Sequence, residues 1–169
     1  MESKAFLILQ GYHALKKLFM KATRAQIDDF LSQPAIAFAG YSVNSKKFGH
    51  VVYTTLKEKG YPLYPVNPAG GVTPDGEVIY AGLHDLPDDV KALYIITRPE
   101  NTSTLVQEAL EKGFTHLWVQ QMSAGADVKN LLQDHPGAVV GQCILMHTQP
   151  TGIHKFHHWL AGLFGQLPK

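Results

Sequence analysis

The sequence predicts a doubly wound, Rossmann-like α/β fold, with a mostly parallel sheet of about five strands and helices on both faces. Short, continuously apolar runs of the kind found in strands buried on both faces alternate with segments whose apolar residues recur at helical spacing. Parallel strands need crossover connections, which helices normally provide. The length of 169 residues and the apolar share of 45% are typical of one domain with a substantial core.

The first part of the chain is predicted to contain a helix, a strand and a second helix. Thr23 and Gln26 form a capping-box pattern, so a short helix should begin there. The apolar run 35–39 predicts the first strand. The next helix should begin near Lys47 and end before Gly60, a glycine typical of the position after a helix.

The later elements follow the same alternation. Strands are predicted at 63–66, 92–96, 117–119 and 138–140, and helices at about 102–112 and 126–134, with Asn101 or Thr102 as the N-cap of the first. The glycine- and proline-containing residues 69–77 are predicted to be loop, and 78–80 a short extended piece. The domain should cover 22–150. Residues 1–21 are expected to be an extension, disordered or not native, and 151–169 an amphipathic helix that packs on the domain or a partner.

Composition excludes several classes of function. The formal net charge of +1 gives no general electrostatic attraction to nucleic acid or to an anionic membrane. No apolar stretch reaches about 18 residues, so no membrane span is expected. The single cysteine, Cys143, excludes an internal disulfide and favours a reducing, cytoplasmic compartment. No metal site is predicted, because no carboxylate lies near the histidines of the tail, which are His154, His157 and His158.

The loop after the first strand is the principal candidate site. In open parallel sheets, ligands bind beyond the carboxyl ends of the strands, where the strand order reverses. Residues 40–49 join the first strand to a helix N-terminus, where free amide groups and the helix dipole attract phosphate. Hydroxyl donors and positive charge are added by Ser42, Ser45, Lys46 and Lys47. The alternative interpretation is an ordinary polar turn with solvated lysines.

This loop differs from the dinucleotide-binding fingerprint. Ser42 and Ser45 stand where the second and third glycines of G-x-G-x-x-G would be. The second strand ends in Asn67 and Pro68, with no acid to hold a ribose diol. Both differences argue against NAD as the ligand.

Two later strand ends contribute further candidates. Arg98 is placed to pair with a phosphate, and Pro99 stiffens the same loop; a surface ion pair of Arg98 with Glu100 is the alternative. After the fourth strand, the amide group of Gln120 is a candidate ligand contact. Trp118 is instead expected to pack under a helix.

Four segments of the chain resemble the bacterial CoA-binding domain proteins, which look like the nucleotide-binding domain of the succinyl-CoA synthetase α subunit standing alone. These segments are 36–42, 64–68, 98–100 and 118–121, and the Val-Asn-Pro turn after the second strand is the most specific of them. The resemblance covers about residues 22–169 and implies coenzyme A or an acyl-CoA as the ligand. An acid at the end of the second strand would repel the 3′-phosphate of coenzyme A, so its absence agrees with this ligand.

The resemblance assigns the candidate residues to parts of coenzyme A. The residues expected to contact it are Gly40, Tyr41, Ser42, Ser45, Lys46, Lys47, Phe48, Val66, Asn67, Pro68, Thr97, Arg98, Pro99, Thr102 and Gln120. The pyrophosphate would be faced by Gly40, Ser42 and Lys46 or Lys47. Residues 66–68 would line the adenosine site, residues 97–99 would flank its opposite side, and Gln120 would approach the pantetheine arm.

The resemblance implies binding rather than catalysis. The synthetase domain that carries the phosphorylated histidine has no counterpart in this sequence, so ligase activity is not expected. Two alternatives stay open. One is an NAD(P)-dependent oxidoreductase in which Arg98 and the lysines serve a 2′-phosphate. The other is an interaction subunit that docks on a partner, or on a second copy, through its C-terminal helix.

Overall fold

Residues 22–148 are described by the structure, a computed structural model. The expectations for residues 1–21, for the C-terminal amphipathic helix and for the three tail histidines lie outside the described residues. In chain order, the elements are α1 (Arg24–Leu31), β1 (Ile36–Ala39), α2 (Phe48–Glu58), β2 (Leu63–Val66), β3 (Gly71–Val72), β4 (Val78–Ile79), β5 (Ala92–Ile95), α3 (Pro99–Glu111), β6 (His116–Val119), α4 (Ala126–Leu131) and β7 (Ala138–Val140).

A parallel sheet of five strands, in the order β2-β1-β5-β6-β7, forms the centre of the domain. From β1 the chain first adds β2 on one side and later adds β5, β6 and β7 on the other. The strand order therefore reverses between β1 and β5, as in other doubly wound folds. The predicted fold class is confirmed.

The apolar runs form strands that are buried on both faces. Every residue of β1 and β5 is buried. One face of the sheet packs against α1 and α2, through side chains such as Phe30 and Leu56. The other face packs against α3 and α4, through Val106 and Val128. Helices therefore cover both faces, as the alternating pattern predicts.

Local capping signals also form as predicted. The amide of Gln26 donates to the hydroxyl of Thr23 at 3.2 Å, and the amide of Thr23 donates to the side-chain oxygen of Gln26 at 2.8 Å. This reciprocal pair fixes the start of α1. Gly60 follows the C-cap of α2 with φ of +83°, a conformation that favours glycine.

The prediction of a loop at 69–77 is wrong in part, because β3 and β4 form an antiparallel hairpin. Each strand has two residues, too few to produce a recognisable alternation of apolar and polar residues. Tertiary pairing holds the hairpin in place. The amide of Tyr80 donates to the carbonyl of Pro65, and the amide of Asn67 donates to that of Tyr80, each at 2.9 Å. The edge strand β2 is thus covered.

The predicted start of α3 is also wrong. The helix begins at Pro99 with Arg98 as its N-cap, and neither Asn101 nor Thr102 is the cap. Proline suits the first helical position because its missing N–H would have no partner within the helix. Within residues 22–148, every helix is too short or too polar to span a bilayer.

Candidate functional site

A cleft of about 1080 Å³ opens beyond the carboxyl ends of β1, β2 and β5. Gly40 follows β1, Asn67 follows β2 and Thr97 follows β5, and all three line the cleft. The cleft therefore includes the point between β1 and β5 at which the strand order reverses. This is where open parallel sheets bind ligands, and the volume suits a nucleotide-sized molecule.

Most of the residues proposed from the sequence line this cleft. They are Gly40, Tyr41, Ser42, Lys47, Phe48, Val66, Asn67, Pro68, Thr97, Arg98 and Pro99. Ser45, Lys46, Thr102 and Gln120 are not part of its lining. Of the two lysines proposed to face the pyrophosphate, Lys47 borders the cleft and Lys46 does not.

Gln120 and Thr102 have structural roles instead. Gln120 is 2% exposed, and its side-chain oxygen accepts hydrogen bonds from the Tyr94 hydroxyl at 3.0 Å and from the Ile144 amide at 3.3 Å. Thr102 is fully buried, and its hydroxyl donates to the carbonyl of Arg98 at 2.9 Å. Because buried polar groups need such partners, these contacts support the fold, and neither side chain lines the cleft.

The two positively charged side chains at the cleft are available to a ligand. Lys47 and Arg98 are exposed, and neither forms an ion pair within residues 22–148. The alternative pairing of Arg98 with Glu100 is therefore absent from the described part of the chain. Among the described residues, Glu108 supplies the cleft's one carboxylate, and it lies 3.5 Å from the ring of His84. The cleft thus carries more positive than negative side-chain charge.

Two glycines allow close approaches at the end of β1, one to the end of β5 and one to the start of α2. Gly40 has φ of +100°, and a Cβ there would lie 2.5 Å from the carbonyl oxygen of Ile96. A Cβ on Gly49, in the first turn of α2, would overlap the carbonyl oxygen of Gly40. A larger residue at position 49 would force the start of α2 away from the end of β1, and one at position 40 would push against the backbone at the end of β5. The close approach places the helix N-terminus in the wall of the cleft.

The loop between β1 and α2 leaves several amide groups without a protein acceptor. Four loop amides have a protein acceptor: those of Asn44, Lys46 and Lys47 within the loop, and that of Gly40 in the carbonyl of Val66. By contrast, the amides of Tyr41, Ser42, Val43 and Gly49 have no acceptor among residues 22–148. Unpaired amides at a helix N-terminus attract anions.

The Tyr41 side chain is part of the core rather than of the ligand surface. It is 2% exposed, and its ring lies 4.6 Å from that of Tyr53. Burial raises the pKa of its hydroxyl. Tyr41 therefore contributes mainly its backbone to the cleft.

Sequence reasoning missed one wall of the cleft. These lining residues are Ala81, Gly82, Leu83, Asn101, Thr104, Leu105, Glu108, Met122 and Ser123. Those on α3 recur at helical spacing from residue 101 to 108, which is a usable signal once the helix start is known. Met122 and Ser123 follow β6, where the strand-end rule already places a candidate loop. Nothing in the sequence marks 81–83, because their position depends on the β3–β4 hairpin.

A family model describing a CoA binding domain matches residues 34–149, which include every strand and loop of the cleft. The chain belongs to this family. The match supports a CoA-binding role for the domain and agrees with the resemblance of the four segments, three of which contribute residues to the cleft lining.

Solved structures with the same fold cover most of this CoA-binding domain. A conserved hypothetical protein from Pyrococcus furiosus is 30% identical, with TM-score 0.63, covering 68% of this chain and 98% of that chain. A hypothetical protein from Pyrococcus horikoshii OT3 is 26% identical, with TM-score 0.66 and coverage of 75% and 90%. A protein from Thermus thermophilus is 25% identical, with TM-score 0.65 and coverage of 76% and 98%. No protein of curated function matches the chain significantly.

Proposed function

We propose that this protein binds coenzyme A or an acyl-CoA in the cleft at the carboxyl ends of β1, β2 and β5, and that it has no catalytic activity by itself. The observation that carries the proposal is the loop of residues 40–49. This loop lines the cleft with amide groups that have no acceptor among residues 22–148, in a chain that belongs to a CoA-binding family.

In the proposed complex, the diphosphate lies against the loop between β1 and α2. The unpaired amides of Ser42 and Gly49 donate to its oxygens, and Lys47 neutralises part of its charge. Arg98 approaches from the end of β5 and pairs with the diphosphate or the 3′-phosphate. These contacts use the helix dipole of α2 as well as the two charged side chains.

The adenosine lies on the β2 side of the cleft, between residues 66–68 and the face of α3 that carries Leu105. Asn67 stands where many NAD-binding folds have an acid for the ribose diol. A 3′-phosphorylated ribose therefore meets no carboxylate at this strand end. The pantetheine arm extends toward Met122, and Gln120 is not part of its path.

The proposal of a binding role without catalysis is supported by the groups at the cleft. Among the described residues that line the cleft, the carboxylate is that of Glu108, which lies on α3 close to the ring of His84. Glu108 lies ten residues along α3 from Arg98, which corresponds to about 15 Å at a rise of about 1.5 Å per residue. A carrier or regulatory role needs only binding and release of the ligand.

The test is a calorimetric titration of the full chain with CoA, acetyl-CoA, dephospho-CoA, NAD and NADP at one salt concentration. We expect CoA to bind, dephospho-CoA to bind more weakly because it lacks the 3′-phosphate, and NAD not to bind measurably. Equal affinity for acetyl-CoA would extend the ligand class to acyl-CoA. Binding of NADP without binding of CoA would contradict the proposal.

The two adjacent lysines provide a matched pair of variants. Lys47→Ala removes a charge that borders the cleft, so the affinity for CoA should fall about tenfold. Lys46→Ala removes the same charge from a neighbouring residue outside the lining, and the affinity should change by less than about threefold. Equal losses in the two variants would show that the lysines act only through general electrostatic attraction.

A further inference from the structure

Two side chains hold consecutive carbonyl groups of the loop between β1 and α2. The Asn67 side-chain amide, at the end of β2, donates to the carbonyl oxygen of Tyr41 at 2.7 Å. The His50 ring, in the first turn of α2, places its Nδ1 2.8 Å from the carbonyl oxygen of Ser42. Since a carbonyl oxygen only accepts, His50 carries a proton on Nδ1.

These two contacts determine where the neighbouring N–H groups point. The carbonyl of Tyr41 shares a peptide plane with the N–H of Ser42, and the carbonyl of Ser42 shares one with the N–H of Val43. In a trans peptide, the C=O and N–H point in opposite directions, and all peptide bonds of the described chain are trans. The amides of Ser42 and Val43 therefore point away from Asn67 and His50, and neither has an acceptor among residues 22–148.

We propose that Asn67 and His50 are positioning residues, which fix these two peptide groups so that their N–H ends face the diphosphate of the ligand. This inference rests on the proposed function and gives Asn67 a positioning role in addition to its place in the wall of the adenosine site. The two donors also occupy carbonyl oxygens that would repel an anion if the peptides rotated. The site is then preorganised before the ligand arrives, which lowers the cost of ordering the loop on binding.

The bracing side chains are themselves held in place. The side-chain oxygen of Asn67 accepts from the Ala69 amide at 2.9 Å, and its backbone amide donates to Tyr80 at the same distance. The ring of His50 lies 6.4 Å from that of Tyr41. One brace comes from the end of β2 and the other from α2, so the orientation of the loop depends on both of these elements.

The experiment follows the backbone amides of ¹⁵N-labelled full-length protein by NMR during titration with inorganic pyrophosphate and, separately, with CoA. We expect the Ser42 and Val43 resonances to be among those that move most in the unmodified protein. His50→Leu removes the donor, whereas His50→Asn retains one near the Nδ1 position. Asn67→Ala removes the other brace.

We expect His50→Leu and Asn67→Ala to lower the affinity for both ligands about tenfold. Both variants should also reduce the chemical-shift changes of the Ser42 and Val43 amides during the titration. His50→Asn should restore most of the affinity and the shifts, which a general loss of packing would not allow. The dispersed spectra of the ligand-free variants establish that they are folded. If Asn67→Ala does not fold, the two His50 variants and the resonances of the unmodified protein still test the positioning role.

The inference is overturned if the folded variants bind pyrophosphate and CoA as tightly as the unmodified protein, or if neither ligand moves the two resonances. CoA binding without movement of Ser42 and Val43 would leave the proposed function intact and reject the positioning role. Pyrophosphate binding with those movements, but no CoA binding, would reject the proposed function and retain the role of the two braces.

Discussion

The contact between Gly49 and Gly40 sets how closely α2 approaches the end of β1. The Cβ of any other residue at position 49 would overlap the Gly40 carbonyl oxygen, which belongs to the backbone and has little room to move.

The burial of Gln120 could have been predicted from a neighbouring residue. Trp118 and Gln120 are two residues apart at the end of a strand, so they share a face, and both are buried on it. Predicting that Trp118 packs under a helix therefore already implied an inward Gln120.

The Gly49→Ala variant should have a free energy of unfolding lower by about 1–3 kcal/mol, because the helix N-terminus must shift to relieve the overlap. Chemical denaturation measures this loss. Gly82→Ala is the control, because a Cβ there meets nothing closer than 3.8 Å and the residue has an extended backbone. Its stability should equal or slightly exceed that of the unmodified protein. Equal effects of the two changes would contradict the steric explanation.

At the scale of elements, polar side chains tie the β3–β4 hairpin to α2. The hydroxyl of Tyr53 donates to the carboxylate of Glu77 at 2.9 Å, and Lys57 lies 2.7 Å from the same carboxylate and 3.0 Å from that of Asp75. The hydrogen bond from Lys57 lowers the pKa of Glu77 although burial raises it, and the Tyr53 hydroxyl lowers it further. The hairpin in turn leads to Tyr80, which pairs with the edge of β2 beside the cleft.

Tyr53→Phe should reduce the free energy of unfolding by about 1 kcal/mol at neutral pH, because it removes one hydrogen bond to a half-exposed carboxylate. Tyr64→Phe removes a hydroxyl with no hydrogen bond among residues 22–148 and is the matched control. A folded-state pKa below the unfolded value means that the Glu77 contribution is complete above the unfolded pKa. It is lost as the pH falls through the folded value, so the Tyr53→Phe difference should shrink in acid. A difference that grows in acid would reject this interpretation.

At the scale of the whole molecule, the order of strands creates the cleft. Because β2 and β5 lie on opposite sides of β1, the loops that leave β1 and β5 diverge to opposite faces of the sheet and leave space between them. The same packing partly buries two histidines outside the cleft. Burial lowers the pKa of His135 and of His147, whose ring lies 5.6 Å from that of Trp118.

Because of these two histidines, we expect acid to lower the free energy of unfolding. Their pKa values are lower in the folded state than in the unfolded chain, where a histidine titrates near pH 6.5. Between the two values the unfolded chain binds more protons, so the free energy of unfolding should fall as the pH is lowered from about 7.5 to 5.5. Denaturation curves at the two pH values measure this change in the free energy of unfolding, and the change should be smaller in the His147→Asn variant. An unchanged slope in that variant would exclude His147 as a source.

The sequence by itself determined the fold class, the five strands of the parallel sheet, most helix boundaries and the strand ends at which a ligand site should form. These features depend on local apolar patterning, on capping residues and on a general rule about parallel sheets. The resemblance of short segments also indicated the family that the match over residues 34–149 establishes.

Only the tertiary structure decided which candidates share one cleft. It placed Lys47, but not Lys46, in the cleft lining and buried the side chain of Gln120 in the core. It also formed the β3–β4 hairpin beside β2 and brought the Asn67 side chain to the carbonyl of Tyr41. Each of these outcomes depends on contacts between residues far apart in the chain, or on the direction in which one side chain leaves a loop. Local patterning carries no information about either, because the partner atoms come together only when the sheet is assembled.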